Sequence, residues 1–341
     1  MTCSADKTIR ISHAESGSLL TLLDHYDATV LDFAVDPRCE RGLLLAGLMD
    51  GFVSLFDLAK DSVVFSSREH VKYVSQVCFS ADGEYFMTGS HDKTANLYRI
   101  ISALDAQESD VKGTSPITVT KIHSLSLRGV VETIACDPSH PHRFLIGTRD
   151  DHLLHILEPL PSPKEDLYCR HETINLNSNG DDWVSFTPMK IQVLEGGLYF
   201  LCFTDMSSGK VILYALPPST PSPLSDHSSD TTATKRVLRH VRTYYGPIVD
   251  TYSTPRLVLS KDQRYFYTTS DDHSLWVFEI ATGRVMTRLV GHEGVVRGID
   301  VDKITGRVVS VGFDKSVRVW GCYEEIQDEQ LEGRAVGGLV A

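Results

Sequence analysis

One short phrase recurs seven times along this chain: an apolar run, a small residue, an aspartate, then an alternating apolar strand. The copies are TCSADKTIRIS, LAGLMDGFVSLF, MTGSHDKTANLY, IGTRDDHLLHIL, FLCFTDMSSGKVILY, TTSDDHSLWVF and VSVGFDKSVRVW. The aligned acids are Asp6, Asp50, Asp92, Asp151, Asp205, Asp272 and Asp314, spaced 44, 42, 59, 54, 67 and 42 residues apart. A recurring internal unit constrains architecture more than any single motif, because each copy must be one structural unit that buries its apolar face against its neighbours.

Each copy makes sense locally. The apolar run before the acid is one strand, and Asp, Lys, Ser, Thr and Gly make a tight turn. Segments such as SVRVW or TIRIS then alternate with period two, as a half-buried strand must. Upstream lies another apolar strand, joined in VCFSADGEYFMTGS by a hairpin at Ala81-Asp82-Gly83-Glu84. No segment shows a long helical period. Four strands, lettered a to d, in a unit of about 40–45 residues make one blade of a β-propeller. The expected fold is all-β and seven-bladed, with residues 1–320 in the propeller and 321–341 an acidic tail.

The last repeat carries Gly291-His292 at its start, Asp314 in the turn and Trp320 at the close; the third keeps His70 and Asp92 but ends in Tyr98, and the second keeps His25 and Asp50 but ends in Phe56. With these residues the chain resembles the WD-repeat family over almost its whole length. No Gly-His is visible in blades four and five. The resemblance implies a buried hydrogen-bonded set in each good repeat: His292, Ser310, Asp314 and Trp320 in the last, and His70, Thr88, Asp92 and Tyr98 in the third. A neutral imidazole can link a hydroxyl to a carboxylate, and an indole adds one N–H. Ser, His and Asp also compose a hydrolase triad, but repetition around a ring argues for a structural role.

Other chemistry is absent from the sequence. No phosphate-binding glycine loop, metalloprotease helix motif, nucleophile elbow or Cys/His metal spacing occurs, so no cofactor or metal is expected. His140 and His142, in PSHPH, read as a solvated turn. The chain is expected not to be an enzyme. Its net charge of −12 opposes direct binding to nucleic acid or acidic membranes. The seven cysteines are scattered without a C-x-x-C pair and read as reduced. No signal peptide, sequon or membrane-length apolar run is visible, so an intracellular location, in cytoplasm or nucleus, is expected.

In the resembled family the d–a and b–c loops share the top face, and the a–b and c–d loops share the bottom. Insertions 101–115, 158–166 and 217–234 then fall in c–d connections on the bottom. The third is rich in Ser, Thr and Pro and is expected to be disordered, with Thr220 and Ser222, each before proline, as candidate phosphosites. The compact top face is the expected partner site. Its d–a loops offer Tyr26, Lys72, Tyr73, Arg128, Tyr244, Tyr245 and Glu293, and Tyr and Arg recur at interface hot spots.

The first copy begins almost at its acid, so blade one is expected to lack strand a and much of strand b. Only RAVGGLVA at the end could supply a short strand to it. The alternative, which the abrupt start favours, is that Met1 is an internal methionine of a longer product. Either way a two- or three-stranded blade is expected where the ends meet. The function expected by resemblance is an interaction scaffold or adaptor, working within a complex. A substrate receptor of a cullin-type ubiquitin ligase is the second reading. Its usual Trp-Asp-x-Arg ending is matched at best by Phe56-Asp57-Leu58-Ala59, with Lys60 one place late. A propeller enzyme and a histone-tail or phosphopeptide reader are further readings.

Overall fold

A computed structural model describes residues 1–101, 117–160, 168–205, 209–217, 238–250, 254–321 and 339–340. The described chain is all-β, with a single turn of 3-10 helix at Cys39–Arg41. Its strands form seven antiparallel sheets, each built from consecutive strands. These sheets are the seven blades of a propeller. Blade two shows the pattern: Val30–Val35, Leu43–Leu48, Phe52–Asp57 and Ser62–Arg68 run a to d in order.

The repeated acid explains why each phrase turns where it does. In six blades the carboxylate accepts the backbone N–H two residues on: Asp6 from Thr8, Asp50 from Phe52, Asp92 from Thr94, Asp151 from Leu153, Asp272 from Ser274 and Asp314 from Ser316. In five of these the residue between is left-handed, at φ 70° for Lys7, 89° for Gly51, 71° for Lys93, 66° for His273 and 61° for Lys315. The side chain thus mimics a backbone turn and reverses the chain into the next strand.

Buried side chains lie between blades. Blades two and three share Leu45, Val53, Val74 and Phe86; blades five and six share Phe203, Tyr244, Phe266 and Phe278. Comparable clusters join blades one to two, three to four, four to five and six to seven. Where blade seven meets blade one, Arg307 approaches Glu15 at 3.7 Å.

Blade one has three strands, Thr2–Cys3, Ile9–Ser12 and Leu19–Leu23, as the reading of the first repeat anticipated. The described strand of the tail does not join it. Leu339–Val340 pairs with Val317–Trp320 as the outermost strand of blade seven, where an open edge of alternating residues lay ready to pair. The c–d connections of blades three, four and five contain residues outside the described set, including Thr220 and Ser222. Strand c of blade four runs Leu153–Leu160, so residues 158–160 are strand rather than insertion.

Candidate functional site

The two faces are distinguished by which loops bond to each other. On one, the b–c turns of blades two to seven donate to the d–a loop beside them: Met49 to Thr29, His91 to Tyr73, Arg149 to Val130, Asp205 to Thr187, Asp271 to Ile248 and Phe313 to Val295. On the other, strand c ends against the a–b loop, as in Leu58 to Gly42, Ile100 to Glu84 and Ile280 to Arg264. The first is the top face. Its described loops are cross-braced by backbone hydrogen bonds.

Beneath it lie the polar sets. In blade seven, His292 Nε2 is 2.8 Å from Ser310 Oγ and Nδ1 is 2.8 Å from Asp314 Oδ2; Trp320 Nε1 donates to Ser310 Oγ at 2.8 Å. Burial alone would raise the Asp314 carboxyl. The N–H and hydroxyl of Ser316, His292 and the N–H of Glu293 outweigh it and hold the group well below the usual carboxylate range. In blade three, His70 Nε2 is 2.8 Å from Thr88 Oγ1 and Nδ1 is 3.2 Å from Asp92 Oδ2. Tyr98 reaches this set less well than Trp320 reaches its own. Its ring stacks on Phe86, with centroids 4.6 Å apart, and its buried hydroxyl lies beside Thr88 and Asn96 without a well-formed hydrogen bond. Asn96 Nδ2 approaches His70 Nε2 instead, at 3.4 Å.

The remaining blades improvise. In blade six, Arg288 pairs with Asp272, and Trp276 Nε1 donates to the same carboxylate at 3.4 Å. In blade four, His155 sits between Asp151, at 3.3 Å, and His171, at 3.1 Å. In blade two, His25 stacks on Phe56, with centroids 5.2 Å apart, and faces Asp61 at 3.7 Å rather than Asp50. Asp57, in the Phe56–Lys60 segment, is buried and pairs with Lys60 at 3.0 Å. These arrangements tie turns to strands. The imidazoles of His70 and His292 are almost wholly enclosed, which leaves no room for a substrate beside them.

Of the side chains expected to face partners, Lys72, Arg128, Tyr245 and Glu293 are exposed on the top face. Tyr73 is half-buried and stacks on His91, centroids 4.4 Å apart. Two expectations are corrected. Tyr26 is 6% exposed, packed between blades one and two. Tyr244 is 1% exposed and donates its hydroxyl to Ile280 O at 2.8 Å. It is the last residue of strand d, where alternation turns its ring inward. Glu293 also contributes its backbone N–H to Asp314, at 3.0 Å.

The sequence reading missed the most exposed apolar side chains of this face. Val71 is 83% exposed and Trp183 is 78% exposed; Met49, Val184, Ile248 and Phe313 are also exposed. In sequence, Trp183-Val184-Ser185-Phe186 alternates like a buried strand, but blade five begins only at Pro188. The signal lies upstream. Asn177 donates to the Trp183 carbonyl at 2.6 Å and to Asp181 Oδ1 at 2.7 Å, and Asp181 accepts the Trp183 N–H at 3.2 Å. Asn-x-Asn-x-Asp is loop chemistry.

On the bottom face, Asp82, Glu84 and His142 bring three ligand-type atoms together, between blades three and four. Arg38 pairs with Glu84 at 3.3 Å, and His142 with Asp82, so the cluster reads as an inter-blade ion-pair network. His140 pairs with Asp137 at 3.0 Å. Among the described residues no helix is long and apolar enough to cross a membrane.

A family model for the WD domain, G-beta repeat, matches residues 62–99 and 283–321. Each match runs from strand d of one blade through strand c of the next. They cover blades three and seven, where His, hydroxyl and Asp come together. Three curated relatives are similar over part of the chain. The LEC14B homolog of Prunus armeniaca is 32% identical over 80 residues, 24% of this chain and 15% of that protein. Autophagy-related protein 16 of Arabidopsis thaliana is 28% identical over 69 residues, 20% of this chain and 14% of that protein. WD repeat-containing protein 90 of Homo sapiens is 26% identical over 140 residues, 38% of this chain and 8% of that protein. The chain therefore spans no more than 15% of the length of these relatives. Seven sheets in a ring, an aspartate turn in six of them, and two matched repeats make this chain a seven-bladed β-propeller that carries WD repeats in blades three and seven.

Proposed function

We propose that the chain is a non-catalytic scaffold that binds protein partners on its top face. One observation carries the reading: folding leaves Val71, Trp183, Tyr245, Ile248 and Phe313 exposed on loops that are themselves cross-braced. Apolar side chains held rigidly in water lose little conformational freedom when a partner covers them, which is what an interface needs. The bottom face offers Ile304, also exposed, as a matched control.

The test compares proteins that co-purify with the native chain, with a Tyr73→Ala/Tyr245→Ala variant, with Val71→Ser/Phe313→Ser, and with Ile304→Ser. The top-face variants are expected to shed partners that Ile304→Ser retains, with thermal melts confirming that all four fold. An identical partner set throughout would end the proposal.

A further inference from the structure

The hairpin that joins strands a and b of blade three holds more acid than its turn uses. Ser80 Oγ donates to Asp82 Oδ1 at 2.6 Å, and the Glu84 N–H donates to the same oxygen at 3.0 Å. Blade six builds the same turn from Ser260, Asp262 and Arg264, at 2.6 and 3.1 Å. There the side chain two residues past the acid is a cation, with Arg264 Nε 4.0 Å from Asp262 Oδ2. In blade three that residue is Glu84, so a second carboxylate stands beside the first. The turn accounts for Asp82 Oδ1. It does not account for Asp82 Oδ2 and Glu84 Oε2, which converge on His142 Nε2 from strand b of blade four.

These three atoms lie within 4.8 Å of one another, with His142 Nε2 3.8 Å from Glu84 Oε2. A neutral imidazole has one N–H, so Nε2 can serve only one of the two carboxylates, and Asp82 is the nearer. The backbones that carry the set are joined beside it, because the Ala81 N–H donates to Pro141 O at 3.1 Å. Each group is also held from outside. Ser80 fixes Asp82, Arg38 Nη2 holds Glu84 Oε1 at 3.3 Å, and the His142 ring packs edge-on against Tyr85, centroids 4.8 Å apart. Outer partners of this kind orient each carboxylate and leave its other oxygen for a ligand.

We propose that Asp82, Glu84 and His142 form a site for a divalent transition-metal ion, zinc fitting best, that clasps blades three and four on the bottom face. Two carboxylates and a neutral imidazole carry a charge opposite to the ion's. Zinc takes such oxygen and nitrogen donors at about 2.0–2.2 Å. Its ligand atoms therefore stand roughly 3–3.5 Å apart, a spacing that small rotations of these partly exposed side chains reach. The imidazole disfavours magnesium and calcium, which take oxygen donors. The ion takes the place of the proton between His142 and Asp82 and draws in Glu84, which turns the ion-pair network into a clasp. Three protein donors leave a fourth position for water or a partner's side chain. No sequence motif announces the site, because Asp82 and His142 are 60 residues apart and meet only across a blade interface. It lies away from the top face and does not depend on the scaffold reading.

Isothermal titration calorimetry of the full chain, freed of metal with a chelator, tests the site with zinc chloride and, for comparison, magnesium chloride. One zinc ion is expected to bind tightly per chain, and magnesium far more weakly. Asp82→Asn keeps the oxygen that makes the turn, and Glu84→Gln keeps the one that meets Arg38. Each of these, and His142→Phe, is expected to weaken zinc at least about tenfold. Asp262→Asn, in the matching turn of blade six, should bind zinc like the native chain. Melting without metal shows which variants fold. With zinc the native melting midpoint is expected to rise, and the midpoints of the three site variants to stay where they were. Zinc held equally by the native chain and all three variants would mean an adventitious ion only and would overturn the proposal. So would no zinc binding, magnesium binding as tight as zinc, or a zinc-bound chain that melts no higher than the metal-free one. If one variant does not fold, the other two decide the matter.

Discussion

Ser310 is the busiest side chain in the polar set of blade seven. One hydroxyl serves both His292 and Trp320, each at 2.8 Å, in a place that water does not reach. Thr88, its counterpart in blade three, serves His70, while the Tyr98 hydroxyl lies beside it without a well-formed hydrogen bond. Deleting a buried partner costs the desolvation of each group left unpaired. Ser310→Ala is therefore expected to cost about 2–3 kcal/mol and Thr88→Val about 1–2 kcal/mol. Urea denaturation at neutral pH measures both. A Thr88 variant that loses as much as the Ser310 variant would show that shared bonding is not what matters.

At the scale of the strand, neighbouring blades are held close by missing side chains. Gly47, Gly89 and Gly147 occupy the same ladder position on strand b, opposite Asp32, Gln76 and Thr133. A Cβ there would come within 2.7 Å of Val74, 2.4 Å of Val131 and 2.7 Å of Pro188 respectively, each near the start of strand a in the next blade. Wedge-shaped packing needs one position at which strand b nearly touches the next sheet. Gly89→Ala is expected to cost roughly 1–3 kcal/mol by overpacking. Adding Val131→Ala should relieve part of that, so the two changes will not be additive. Strict additivity in a double-mutant cycle would refute the contact as the cause.

For the whole ring, stability against acid follows from groups spread over its blades. Asp92, Asp151, Asp272 and Asp314 sit below the usual carboxylate range: burial raises them, but hydrogen bonds from turn N–H groups, hydroxyls, His or Arg prevail. Their folded values lie below the unfolded one, so their contribution is complete above about pH 4 and is lost as pH falls further. Burial lowers His70, His91 and His171. The unfolded chain then takes up protons first, which removes stability as pH drops below about 6.5. Glu132 and Asp300, raised by burial, work the other way as pH falls. The expected profile of denaturant midpoint is shallow between about pH 6.5 and 4 and steep below about 4, and Asp314→Asn should flatten the steep limb. A profile with no loss below about pH 4 would contradict the role given to the turn acids.

What could be read directly from the chain was whatever depends on residues close together in it. An aspartate that accepts the N–H two residues on makes its own turn, as six of the seven acids do, so the repeated acid marked the blades, and period-two alternation marked the strands. The His292–Ser310–Asp314 set was legible because three types recur at fixed offsets. The tertiary structure decided everything that depends on a neighbouring blade or a distant partner. Tyr26 and Tyr244 are buried because an adjacent sheet covers them, while Trp183 is left in water because blade five starts after it. Asn96 reaches His70 where Tyr98 does not, and Leu339–Val340 pairs with blade seven rather than blade one. Local hydrogen bonds leave a signature in spacing. Contacts across a blade interface depend on which surfaces meet, and no residue spacing records that.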